Sequence, residues 1–174
     1  MEQLIMRWKN DGTPAKKYDI PEGMGVYTFQ ELPNALEEWL EIVQYGLSEG
    51  KAGPEYYEEC MTALKDYYPD KCFFVTVDGE AVATVTVLCD YEKSEGHIHM
   101  VACKPGYRGR GIGTLLNEIA MYVVKSEGFP TAFLITDDWR IPAIKSYYRA
   151  GFVPDVSTED FAKRWKVINE KLGR

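Results

Sequence analysis

The sequence has no run of roughly 18 consecutive apolar residues, and Met1 to Trp8 carries no basic segment followed by an apolar stretch of signal-peptide length. No membrane partner is expected, and a cytoplasmic location is the default. Basic residues are in deficit: 20 Lys and Arg stand against 27 Asp and Glu, a formal net charge of −7 at pH 7. A general nucleic-acid binder needs a basic face to displace counterions from phosphates, so no nucleic-acid partner is expected. Histidine is scarce. His97 and His99 are the only two, and a pair at i, i+2 on one strand lacks the third and fourth ligands of a metal site. The four cysteines, Cys60, Cys72, Cys89 and Cys103, have no CxxC spacing and sit among apolar residues, the setting of small packed thiols. Neither a metal nor a disulfide framework is expected. Internal repeats and low-complexity tracts are also lacking, and 174 residues suit one sizeable core better than two. A single domain over residues 1–174 is therefore expected.

Hydrophobic spacing supplies a coarse order of elements. The short apolar run Leu4 to Trp8, followed by a polar stretch with Gly12, Pro14 and Pro21, reads as an irregular lead-in. Val26 to Phe29 alternates as a strand. Leu32 to Leu47 has helical spacing, and a second helix runs from Pro54 to Tyr67. Cys72–Val77 and Ala81–Leu88 are β-branched and aromatic runs joined by Asp78-Gly79, a tight-hairpin dipeptide. Ile98–Cys103 completes an antiparallel meander. There follow a helix at 111–126, a strand at 132–136, a helix at about 142–150 and a last helix around 158–172. One side of that last helix, with Phe161, Trp165, Ile168 and Leu172, either caps the core or forms a homodimer interface.

The most informative stretch is Tyr107-Arg108-Gly109-Arg110-Gly111-Ile112-Gly113-Thr114, lying between a strand and a strongly periodic helix. Glycines let backbone approach a ligand and turn N–H groups inward, and the positive end of the helix dipole attracts phosphate. Lys104, Arg108 and Arg110 cluster here in an otherwise acidic chain, which points to a specific polyanion. A P-loop would need a Gly-Lys pair, and a dinucleotide fingerprint would need glycine where Thr114 stands; neither fits.

The pattern that does fit is R-x-x-G-x-G, met by Arg108, Gly111 and Gly113, and it resembles the pyrophosphate-binding motif of the GNAT superfamily of N-acetyltransferases. Val101-Ala102-Cys103-Lys104-Pro105 looks like that family's fourth core strand, whose backbone pairs with the pantetheine arm of the cofactor. A second block, Arg140 to Phe152, resembles the family signature N-x-x-A-x-x-x-Y-x-x-x-G-F, with Ala143, Tyr147, Gly151 and Phe152 in register. Arg140 stands where asparagine is usual, and an arginine there could meet a phosphate. The resemblance covers about residues 72–153. It implies an α/β GNAT fold: a mixed, mainly antiparallel sheet with helices on both faces, splayed between its fourth and fifth strands. It further implies acetyl-coenzyme A as co-substrate, held by Val101, Ala102, Cys103, Arg108, Gly109, Arg110, Gly111, Ile112, Gly113, Thr114 and Arg140, and N-acetylation of a small-molecule or peptide amine by direct transfer. A non-catalytic acetyl-coenzyme A sensor on the same fold is the rival reading.

Transfer from a thioester to an amine needs a neutral amine, a polarised carbonyl and a proton for the departing thiolate. Tyr147 matches the family tyrosine that serves as general acid, with Tyr148 as the alternative. A backbone N–H near Val101 or Ala102 is the candidate carbonyl donor. The base candidates are His97, which lies where some members carry a carboxylate, then His99 on the same strand face, then Glu95. Asp137 and Asp138 are candidates to face the acceptor. The acids and aromatics between Leu32 and Tyr67, among them Glu37, Glu41, Trp39, Tyr45 and Tyr57, are expected to supply the rest of a pocket for a cationic acceptor.

Overall fold

The computed structural model describes residues 2–48 and 50–174. Among them, seven strands form one sheet: β1 (Leu4–Lys9), β2 (Met24–Thr28), β3 (Cys72–Val77), β4 (Glu80–Asp90), β5 (Glu95–Cys103), β6 (Thr131–Thr136) and β7 (Val153–Pro154). Their order is β2-β3-β4-β5-β6-β1-β7. Every neighbouring pair is antiparallel except β5–β6, which is parallel. The mixed, mainly antiparallel sheet is thus as expected. Asp78 and Gly79 form the two-residue β3–β4 turn with φ of +49° and +86°, the left-handed pair that such a hairpin demands.

Helices cover both faces. On one, α1 (Ala35–Val43), the short α2 (Pro54–Tyr57) and the turn after it set Trp39, Ile42, Val43, Tyr57 and Met61 against Cys72, Phe74, Ala81 and Ala102. On the other, α3 (Ile112–Ser126) lays Leu116, Ile119 and Val123 over Val85, Val87 and Ile98. Ile144 of α4 (Ile141–Arg149) and Phe161, Trp165 and Ile168 of α5 (Glu159–Leu172) extend that core. Covered on both sides, β4 is buried continuously from Ala81 to Cys89. Gly96 lets α3 come close: a Cβ there would lie 2.9 Å from Val124 Cγ2.

Two expectations are revised and one open alternative is resolved. Residues 4–9 are a strand, not an irregular lead-in: Leu4, Met6 and Trp8 are buried while Arg7 and Lys9 face water, a period-2 pattern that a six-residue segment shows only weakly. It pairs with β6 along its whole length and with β7 on its other edge. The second helix does not reach Tyr67; α2 passes into a π-helical turn, Glu58–Thr62. Of the two options for the last helix, capping is the one observed, with Phe161, Trp165 and Ile168 each at most 3 % exposed. Thr158 Oγ1 accepts the Phe161 N–H at its start.

If β1 is integral to the sheet, Met6→Ala should cost about 2–5 kcal/mol in urea unfolding, as for other fully buried truncations. Lys9→Ala, exposed on the same strand, should stay within about 0.5 kcal/mol of the parent.

Candidate active site

The parallel ladder between β5 and β6 joins only Glu95–Ile98 to Thr131–Leu134. Past Ile98, β5 stays with β4 but bulges, three steps on β5 from His99 to Ala102 opposing two on β4 from Thr86 to Thr84. Met100, inside that bulge, takes φ +52°. A bulge bends its strand and re-aims its side chains. The fourth and fifth strands in sheet order therefore part, and a cleft of about 600 Å³ opens beside the freed end of β5.

The cleft is lined by Val101, Ala102 and Cys103 of β5, by Arg108, Gly109, Gly111, Ile112, Gly113 and Thr114 of the loop and first turn of α3, and by Arg140 and Tyr147 on the opposite wall. Arg110 is the exception among the residues read as cofactor-binding. Its side chain is exposed and lies over the Tyr107 ring, 5.2 Å from the centroid, instead of entering the cleft.

The cradle suits a diphosphate. Gly111 is the N-cap of α3 with φ +80°; no side chain caps the helix, and its first turn holds no acid. Its leading N–H groups and dipole are thus left for an anionic ligand. Gly109, with φ +78°, also has the left-handed backbone that a side chain would strain.

The connection after α1 crosses the mouth of the cleft. Arg108 donates from Nη2 to the Tyr45 carbonyl (2.9 Å) and from Nε to the Cys103 carbonyl (3.1 Å). Arg140 donates from Nη2 to the Gly46 carbonyl and from Nε to Asp137 Oδ2 (3.1 Å). Tyr45, Gly46 and Leu47 thus form a strap tied to both walls. Sequence reading missed it, although Gly46, Gly50 and Gly53 mark an unusual connection. It also missed Trp139, 69 % exposed at the rim beneath the Arg140 guanidinium.

A second cleft of about 190 Å³ adjoins the first and shares Leu47, Val101, Arg140 and Tyr147 with it. It holds His97, His99, Asp137 and Gln3. Burial pushes the Tyr147 phenol up to about 12, the Arg140 charge opposing, so it is protonated at neutral pH. The His97 ring stacks on Phe133, centroids 4.3 Å apart, and lies 5.2 Å from His99. Burial, then the neighbouring His99, drives His97 down to about 3. Burial also lowers His99, against a hydrogen bond to the Cys60 carbonyl.

Other candidates lie elsewhere. Glu95 is at the far end of β5, accepting from Thr131 Oγ1. Tyr148 donates to Asn169 of α5, and Asp138 is paired with Arg164. The acids of α1 and α2 line neither cleft. Trp39 and Tyr57 are core residues, so from this region only the strap, with Tyr45, Gly46 and Leu47, reaches the site.

Comparison with known proteins agrees with this geometry. The acetyltransferase (GNAT) family matches residues 34–152. A mycothiol acetyltransferase of Thermomonospora curvata is 24 % identical over 159 residues, 86 % of this chain and 50 % of that protein. The N-alpha-acetyltransferase 30 of Xenopus laevis is 33 % identical over 91 residues, 51 % of this chain and 33 % of the relative. The chain thus spans half or less of these curated relatives. Among solved structures, a GCN5-related N-acetyltransferase from Sphaerobacter thermophilus superposes with a TM-score of 0.70 at 23 % identity, covering 88 % of this chain and 48 % of that one. The ribosomal-protein-S18-alanine N-acetyltransferase from Escherichia coli gives 0.60 at 19 %, covering 75 % and 77 %.

The depressed His97 has a consequence for stability. Above pH 6.5 the imidazole is neutral in both folded and unfolded chains and contributes nothing. As pH falls below 6.5, the unfolded chain binds a proton that the folded chain refuses until about pH 3, so stability declines with acidification. Urea unfolding between pH 6.5 and 4.5 should show a slope shallower by up to about 1.4 kcal/mol per pH unit in His97→Phe than in the parent.

Proposed function

The chain belongs to the acetyltransferase (GNAT) family, and from that premise we propose that it transfers an acetyl group from acetyl-coenzyme A to an amine of a small molecule or peptide, directly, with both substrates bound. The observation that carries this reading is that Tyr147 and Val101 line both clefts. A donor in the larger and an acceptor in the smaller would meet between a protonated phenol and a bulged strand.

Acetyl-coenzyme A, when bound, supplies the activated thioester. The chain's own groups do the rest. The uncapped N-terminus of α3, with Gly109, Gly111 and Gly113, holds the diphosphate. The edge of β5 past Ile98, which has lost its β6 partner, offers backbone groups to the amides of the pantetheine arm. A backbone N–H at Val101 or Ala102 polarises the thioester carbonyl. The amine nitrogen attacks the carbonyl carbon; the C–N bond forms as the C–S bond breaks. The Tyr147 hydroxyl gives its proton to the departing sulfur, while the histidine pair receives the proton the amine gives up.

Calorimetry against acetyl-coenzyme A should show binding that an Arg108→Ala, Gly111→Asp double variant abolishes. Absence of binding to the folded parent would overturn the reading. Tyr147→Phe should keep that binding and lower kcat by about 10²-fold or more, the usual size of an acid–base contribution. An unchanged kcat would remove Tyr147 from its role.

A further inference from the structure

The smaller cleft is poor in negative charge. Asp137 is its only carboxylate among the described residues, and both its oxygens are engaged: Oδ1 accepts from Gln3 Nε2 at 2.9 Å and Oδ2 from Arg140 Nε at 3.1 Å. The Arg140 guanidinium offsets its charge. His97 and His99 face the same space; burial acts on both, His99 acts on His97 and the Cys60 carbonyl on His99, with no carboxylate to support a proton. Tyr147 and the Cys60 thiol are both held neutral by burial; of the groups acting on Cys60, Tyr56 is a phenol and Glu59 is an exposed carboxylate outside the cleft lining. An ammonium entering here would meet no free anion.

The two histidines are not equivalent. Cys60 lies in the π-helical turn that follows α2. There the Ala63 N–H bonds the Glu58 carbonyl (2.9 Å), and the Leu64 N–H, which would reach Cys60 in an α-helix, bonds the Met61 carbonyl instead (3.0 Å). The Cys60 carbonyl is thereby released from the helix, and it meets His99 Nε2 at 2.9 Å. A carbonyl can only accept, so Nε2 carries the hydrogen of the neutral ring and Nδ1 is left as a lone-pair acceptor. His97 has no such orienting partner among the described residues, only the face of Phe133.

Resting on the acetyl-transfer reading, we infer that the acceptor is a weakly basic primary amine, such as a peptide α-amine or an amino sugar, that arrives unprotonated, and that His99 Nδ1 takes its N–H proton. A lysine side chain or polyamine would have to enter as a cation beside Arg140, or surrender its proton to a ring that binds protons weakly. An α-amine titrates near 7.7–8.0 and a lysine ε-amine near 10.4, so at pH 7 the neutral fractions differ by roughly two orders of magnitude.

The test is thiol release from acetyl-coenzyme A by the intact protein at pH 7, with glucosamine, a tripeptide with a free α-amine, Nα-acetyl-lysine and spermidine as acceptors. The inference expects kcat/KM for the peptide, the sugar or both to exceed that for the lysine derivative and spermidine about 100-fold, with the peptide and sugar arms separating the two sources. Equal or preferred use of lysine or spermidine overturns the inference and leaves acetyl transfer standing. Bound acetyl-coenzyme A with no transfer to any amine overturns the transfer reading and this inference with it. Histidine-selective ¹⁵N NMR reads the tautomer without an acceptor: Nε2 protonated and Nδ1 bare at pH 7 is the expected result, and the reverse tautomer or an imidazolium sinks the role of His99. His99→Gln, which retains a donor for Cys60 but no basic nitrogen, should keep the fold and lose about 100-fold in kcat/KM for the preferred amine.

Discussion

The parallel hydrogen-bonded ladder between β5 and β6 stops at Ile98 and Leu134, and that end-point sets the position of each functional element. Upstream of it, Gly96 and Ile98 lie under α3 and the sheet is closed. Downstream, the bulge at Met100 turns β5 away, and backbone that would have paired with β6 borders a cleft instead. Left-handed backbone at a non-glycine residue costs about 1–2 kcal/mol. The flanking pairs with β4, Thr84 with Ala102 and Thr86 with His99, hold it in place. Beyond the divergence α4 borders the opening, with Ala143 lining the larger cleft and Tyr147, a turn further along, lining both.

The two arginines at the mouth do more structural than electrostatic service in the free protein. Arg108 and Arg140 stand on opposite walls, yet both donate to carbonyls of one short strap, Tyr45 and Gly46. Backbone carbonyls near a cleft need donors, and a planar guanidinium can satisfy a carbonyl while keeping other N–H groups for a second partner. Arg140 stands where the family pattern usually has asparagine, and from its own wall it reaches the Gly46 carbonyl of the strap. Its second partner is Asp137, so the substitution also accounts for the neutralised carboxylate of the smaller cleft.

What was legible in the sequence follows how locally each feature is encoded. Asp78-Gly79, the β-branched run of β4 and the glycine-rich start of α3 each announce themselves within a few residues, and they stand where spacing put them. Strand β1 did not, because six residues of alternation beside a proline- and glycine-bearing loop are weak evidence until β6 and β7 supply partners. Arg110 was misplaced for a different reason: composition locates a basic cluster but cannot say which cation turns outward onto Tyr107. The acids of α1 and α2 were assigned to a pocket because they alternate with aromatics. The aromatics instead pack inward, Trp39 edge-on to Tyr57 and Tyr57 stacked on Phe29, and the acids are left on the solvent side. Strap and bulge are tertiary features, with no signature beyond scattered glycines.

One physical condition, burial with few charges nearby, sets the protonation of the proposed acid and of the proposed base together. Removal from water disfavours the charged form of any group, which raises a phenol and lowers an imidazole. Tyr147 is therefore held as an acid that keeps its proton, and His97 and His99 as rings that lack an extra one. Had a free carboxylate stood beside His99, the ring would have become a better base but also a charged one at neutral pH, blocking its own lone pair. The site avoids this by orienting His99 with a neutral carbonyl from a π-helical turn. A carbonyl selects the tautomer without adding a full charge, so the proton sits on Nε2 and Nδ1 is the nitrogen left as a lone pair, while burial lowers the ring's affinity for a second proton. The limit of such a base is its weakness, and the deprotonation it cannot drive has to be supplied by the amine itself.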